Sequence, residues 1–224
     1  MKRKISLILA ICISFTMLTA TYANALTKAK YEYVKIDKSE KYENGTFTNY
    51  YKYPSIKGKS NVAAKINSAF EKEGNNFVTI DTNYIDRTVE AYNTLRSYVT
   101  FNKKGILSVR FRTYWYVGGV TNFNIYGDTF SLKTGKKLSI YKVVNKKYAK
   151  YDALKKEIKR QLKKKTTTQI ARDFDESYNT KTKLGKVEYY IGGKGNVYVC
   201  FKTYDLADGA TGPINVVKIP SRYK

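Results

Sequence analysis

The residues able to do chemistry in this sequence are arginines, tyrosines and a few carboxylates, because histidine is absent. That absence removes Ser-His-Asp and Cys-His nucleophilic arrangements and ordinary His-containing zinc sites. General acid–base work would fall to carboxylates, Tyr or Lys. Asp205 and Asp208 flank a turn, and Asp128 sits near an expected strand irregularity. A glycosidase needs two carboxyl groups about 5–10 Å apart across a sugar site. Any two acids in a turn meet that distance, and capping of loop backbone is their simpler role. The oxygen ligands are not clustered as a calcium loop requires. Gly209-Ala210-Thr211-Gly212-Pro213 lacks the following helix of a phosphate loop and reads as a tight turn. No catalytic residue, metal or cofactor is expected.

The stronger constellation is cationic and aromatic. Residues 94–101 and 106–117 both alternate, with Leu95, Ser97, Val99 and Phe101 on one face of the first and Leu107, Val109, Phe111, Trp115 and Val117 on one face of the second. Such alternation predicts half-buried antiparallel strands. If they pair as a hairpin, Arg96 and Tyr98 lie beside Arg110, Arg112 and Tyr114 on the opposite face. Arg forks grip phosphate or carboxylate, and aromatic faces stack on sugar rings or on Arg itself. Gly118-Gly119 follows at once, as a bend in a curved edge strand or as exposed backbone approaching a ligand. The alternative is that another element covers this face and the arginines pair with Asp or Glu.

Other elements must hold that hairpin. Residues 31–36 and 45–54 read as strands rich in Tyr, Thr and Val, with a turn at Asn44-Gly45 and an end at Pro54. A helix capped by Ser60 carries Val62, Ile66 and Phe70 at helical spacing, and Gly74 weakens it near its end. The stretch 78–87, with Asp81 and Asp86, is ambiguous. A third strand after Gly119 changes apolar parity, from Phe123 and Ile125 to Phe130 and Leu132, which predicts a bulge at Gly127. A lysine-rich helix over about 147–165 presents Tyr148, Tyr151, Leu154, Ile158 and Leu162 on one side. Residues 166–183 read as a weak polar connection, and strands return at the C-terminus. The order is α+β with a mostly antiparallel sheet and two main helices. The expected division is a signal peptide at 1–25, a smaller N-terminal subdomain at 26–104 and a larger C-terminal one at 105–224.

Lys2, Arg3 and Lys4, an apolar run and Ala23-Asn24-Ala25 make a secretory leader. The run is shorter than the roughly 20 residues a spanning helix needs, so cleavage after Ala25 is expected and a retained anchor is the alternative. Cleavage would lower the net charge from +24 to +21, since it removes three basic and no acidic residues. Cys200 would be the remaining cysteine, in an alternating strand, so no intrachain disulfide could form. Export makes nucleic acid an unexpected partner. The excess positive charge points to wall polymer, acidic glycan or the membrane surface, unless it reflects a bias toward Lys across the genome.

Five segments stand in order: YPSIKGKSNVAAKIN, YWYVGGVTNFN, FSLKTGKKLSI, YDALKKEIKRQL and YDLADGATGPINVVKIP. Together they resemble the paired extracytoplasmic domains of unknown function of RsiV-type anti-sigma factors and the non-catalytic N-terminal region of PdaC-type peptidoglycan deacetylases. The resemblance covers about 31–223. It implies an α+β fold, an exported protein facing the cell wall and, in the RsiV-type case, lysozyme sensing. Charge disfavours a lysozyme partner, since two cationic proteins repel at long range. The expected function is thus an exported, non-catalytic envelope module binding anionic wall polymer, glycan or an envelope protein. The alternatives are a carboxylate-dependent wall hydrolase and, as the resemblance implies, an RsiV-like binder of a protein such as lysozyme. The candidate ligand residues are Arg96, Tyr98, Arg110, Arg112, Tyr114, Gly118 and Gly119.

Overall fold

The computed structural model describes residues 27–42, 45–78, 90–206 and 213–224. The expected leader, Asn44, Asp81, Asp86, Asp208 and the glycine turn 209–212 lie outside them. The described residues form an α+β fold. A larger sheet contains β1 (Tyr31–Asp37), β2 (Glu40–Tyr42), β3 (Gly45–Ile56), β4 (Ala91–Lys103), β5 (Ile106–Val117) and β6 (Val120–Ser131). Its main order is β1-β3-β4-β5-β6, with β2 paired to β3. A second sheet has the order β7 (Glu188–Ile191), β8 (Asn196–Phe201), β9 (Ile214–Pro220). All pairs are antiparallel except β3 with β4.

One face of the larger sheet is covered by α1 (Asn61–Val78). Ile66 and Phe70 of α1 share a core with Leu95, Leu107, Val109, Phe111 and Phe130. Ser60 caps this helix as expected, its Oγ accepting from Ala63 N at 3.1 Å. Gly74 does more than weaken it. A Cβ there would lie 1.5 Å from Cε1 of Tyr51, whose ring fills that space and whose hydroxyl donates to Phe70 O. A second core joins β7–β9 to α2 (Tyr151–Lys165) and α3 (Thr168–Ser177), through Leu154, Ile158, Leu162, Phe174, Val199 and Phe201.

Several local expectations change. The lysine-rich helix begins at Tyr151, after a short 3-10 turn at Lys146–Tyr148. The supposed weak connection holds α3 and the short α4 (Lys181–Gly185), capped by Thr167 and Thr180. β3 runs through Pro54 to Ile56, because β4 pairs only as far as Lys52 and Pro54 meets a partner on one side alone. No bulge occurs at Gly127: β5 and β6 stay in register from Ile106↔Ser131 to Val117↔Val120. The irregularity lies in β4 between Val99 and Phe101. It turns Phe101 away from the face of Leu95 and into the second core. Lys104 and Gly105, φ 56° and 73°, form the turn of the β4–β5 hairpin, so the expected 104/105 division falls between two strands paired along their length.

β7 approaches the other face of the larger sheet at one end. Ile191 N donates to Ser108 Oγ at 2.9 Å, and Ser108 Oγ lies 2.8 Å from Thr129 Oγ1. Gly127 makes this contact possible. A Cβ there would stand 2.7 Å from both Tyr190 Cβ and Val109 O. The remainder of that face, toward the β5–β6 turn, is where the arginines lie.

Candidate functional site

Side chains directly opposite in paired strands point to the same face. The register therefore places Arg112 beside Arg96, as the alternation predicts, and continues the row in both directions. Arg96 pairs with Lys52 of β3, Lys52 with Lys35 of β1, and Arg112 with Ile125 of β6. Lys35, Lys52, Arg96 and Arg112 thus form one line of cations across four adjacent strands. The next row reads Asp37, Tyr50, Thr94, Tyr114 and Phe123.

A groove of about 340 Å³ opens here, lined by Tyr92, Thr94, Arg96, Tyr98, Arg112, Thr113, Tyr114 and Phe123. Arg96 lies 5.5 Å from the Tyr50 ring centre, and Arg112 lies 5.8 Å from that of Phe123. Lys52 sits 4.2 Å from the Tyr33 ring centre and 5.8 Å from that of Tyr98. Such contacts hold cationic side chains over rings without neutralising them. Among the described residues, none of Lys35, Lys52, Arg96 and Arg112 has a carboxylate within 4.0 Å. Among the described residues, two acids border the face: Asp37 accepts from the Ser39 hydroxyl at 2.6 Å, and Glu90 from the Tyr92 hydroxyl at 2.8 Å. Arg96, Arg112 and Tyr114 are exposed, Tyr114 at 42%.

Of the expected site residues, Arg96, Tyr98, Arg112 and Tyr114 come together in the groove. Arg110 stands one row further along, where β7 closes the face. Its guanidinium lies 5.1 Å from the Tyr98 ring centre and 5.8 Å from that of Tyr190, and its Nε is buried without a hydrogen-bond partner among the described residues. Burial and the nearby Cys200 push the Tyr190 phenol up, while Arg110 pulls it back. Gly118 and Gly119 line no part of the groove. With φ 53° and 90°, they are the two-residue turn of the β5–β6 hairpin, not a bend within a strand.

Sequence reasoning misses Lys35, Lys52, Tyr92, Thr94 and Phe123. Phe123 and Ile125 look like core residues, yet they share the arginine face, and the core side of β6 holds Tyr126 and Phe130. The other candidates for chemistry have structural partners. Asp128 pairs with Lys137. The exposed Asp205 accepts from Lys202 N at 2.7 Å, a loop cap. Cys200 is fully buried, and burial drives its thiol pKa well up. On the lysine-rich helix, Lys155 and Lys159 both meet Asp175 of α3.

Two solved structures share this architecture. A DUF3298 family member from Bacteroides fragilis matches with a TM-score of 0.59 and 19% identity, over 87% of this chain and 92% of that one. A DUF3298 family protein from Pseudomonas aeruginosa matches with a TM-score of 0.52 and 12% identity, over 86% and 90%. No family model and no curated protein matches the chain. The expected likeness to domains of unknown function thus holds at the level of the fold.

Proposed function

We propose that this chain is an exported, wall-facing module without catalysis of its own, which binds an anionic glycan or wall polymer on the open face of its larger sheet. The reading keeps the resemblance to the extracytoplasmic domains of RsiV-type and PdaC-type proteins. One observation carries it: Arg96 and Arg112 stand side by side, exposed and without a carboxylate partner among the described residues, next to Tyr114 and Phe123. Two guanidinium forks grip a phosphate, sulfate or carboxylate. The adjacent rings offer an apolar platform for a sugar. A net charge of +24, or +21 once the leader is removed, adds long-range attraction for polyanions.

An envelope protein is the second reading. It is favoured by the hairpin tip, where residues 113–123 carry no charge and Trp115 and Val120 are exposed. The wall-hydrolase alternative has no comparable observation, since the Asp205 carboxylate caps a loop.

Retention on purified cell wall at rising salt tests the proposal. The parent should elute as exposed charge is screened. Arg96→Ala and Arg112→Ala should each weaken retention by about tenfold, the scale of one lost charge-assisted hydrogen bond. Retention that ignores both salt and these substitutions points to the apolar tip and a protein partner instead.

A further inference from the structure

Resting on that reading, we infer that the ligand is a linear polyanion lying across the strands, along the line Lys35–Lys52–Arg96–Arg112, and not a single anionic group held in the groove. The register is the first ground. Each of these residues is the direct partner of the next, in three successive strand pairs. Neighbouring strands lie about 4.8 Å apart, so the row spans about 14 Å. A lone phosphate or carboxylate reaches two of these cations at most, whereas a chain with repeated charges reaches all four.

The cost of the row is the second ground. Like charges directly opposite one another destabilise a sheet. Here three such oppositions follow in series, and among the described residues no acid neutralises any member. The neighbours hold the cations in place. Lys52 is half-buried between the rings of Tyr33 and Tyr98, and Arg96 lies over Tyr50. The row also has a definite end. Beyond Arg112 it meets Ile125, and β6 is the last strand of the sheet.

The test uses heparin oligosaccharides of graded length, with polyphosphate of graded length as a ringless probe, titrated into the full chain over a salt series. Affinity should rise with oligomer length and level off once the row is spanned. Lys35→Gln and Lys52→Gln should each weaken the long oligomers several-fold and leave the shortest unaffected. Each should also lower the slope of log K against log salt by somewhat less than one, the loss of one counterion-releasing contact. A preference for heparin over polyphosphate of equal charge supports the row with stacking on Tyr114 and Phe123 beside it; equal binding supports the row through its charges alone. The inference is overturned if affinity is independent of length, or if the lysine variants bind long oligomers like the parent while Arg112→Ala does not. Either result leaves a single-anion groove intact. Failure of the parent to bind any oligomer would overturn the binding reading itself. Unchanged melting temperatures for the lysine variants separate lost contacts from lost folding.

Discussion

Arg96 and Arg112 face each other directly across the β4–β5 pair, and no carboxylate lies within 4.0 Å of either among the described residues. Directly opposed like charges cost about 0.2–1 kcal/mol. Their contacts with Tyr50 and Phe123 return a similar amount at an exposed site, about 0.5–1 kcal/mol. Arg112→Thr, which suits a strand, should therefore leave stability within about 0.5 kcal/mol of the parent or above it. Polyanion binding should fall in the same variant. Urea unfolding midpoints beside a salt-gradient binding assay check both. A loss above about 2 kcal/mol, which needs a broken buried feature, would make the arginine structural.

Gly127 lies where β7 packs against the larger sheet. A methyl group there would meet Tyr190 Cβ and Val109 O, each at 2.7 Å. Neither the β7 backbone nor the ladder of β5 can yield easily, so Gly127→Ala should destabilise by about 1–3 kcal/mol. The damage should be local to the β6–β7 junction. Hydrogen exchange should quicken at Ile191 N, which donates to Ser108 Oγ, before it quickens in the centre of β4. Parent-like exchange at Ile191 would show that β7 docks independently of this contact.

The β4–β5 half of the site is legible in the sequence because two adjacent strands joined by a tight turn can be aligned from their alternation alone. The Lys52 half is not. β3 reaches β4 through a long connection and pairs with it in parallel, and no local pattern fixes the register of such a pair. Phe123 and Ile125 mislead for a different reason. An apolar residue beside an exposed cationic groove has the same spelling as one in a core, and only the register with Tyr114 and Arg112 separates them. The helix at 168–177 was available: Thr167 is an N-cap residue, and Ile170, Ala171 and Phe174 follow at helical spacing. Its polar surroundings hide that stripe.

Tyr51 and Gly74 are matched in the same way as Gly127 and Tyr190. The Tyr51 ring occupies the place of a side chain on α1, stacks on Tyr53 at 4.7 Å and is buried. Alanine is ordinarily the better helix former by about 1 kcal/mol, so helix propensity predicts that Gly74→Ala stabilises. Packing predicts the opposite, at about 2–3 kcal/mol, and packing should prevail because the Tyr51 ring is closed in on the other sides. In a Tyr51→Leu background the same change should cost much less. A double-mutant cycle measures that coupling, and additive losses would refute the match.

Glu188 supplies a pH dependence whose sign follows from its burial. Burial raises its pKa; Lys137, 3.8 Å away, pulls it back in part, and Asp128 pushes it up again. The net shift is upward. The folded chain then holds a proton on Glu188 at pH values where the unfolded chain has released it. Stability from this group falls as pH rises from the ordinary glutamate value of about 4.3 through the higher folded value. Above that window the buried carboxylate is charged and disfavours the fold. Glu188→Gln removes the charge and keeps the shape, so it should melt higher than the parent at neutral pH. The advantage should shrink as pH falls through the window and vanish below the ordinary glutamate range. Taking the difference between the two melting curves cancels the acid loss expected from Asp175 and Glu157. For Asp175, burial is outweighed by hydrogen bonds from Lys159 and Lys155; for Glu157, the Arg160 hydrogen bond dominates; both carboxyls are held below their usual range. A Glu188→Gln variant that melts lower than the parent at neutral pH, with the deficit closing toward acid pH, would mean that attraction to Lys137 outweighs burial, and that the Lys137 pair holds β7 in place.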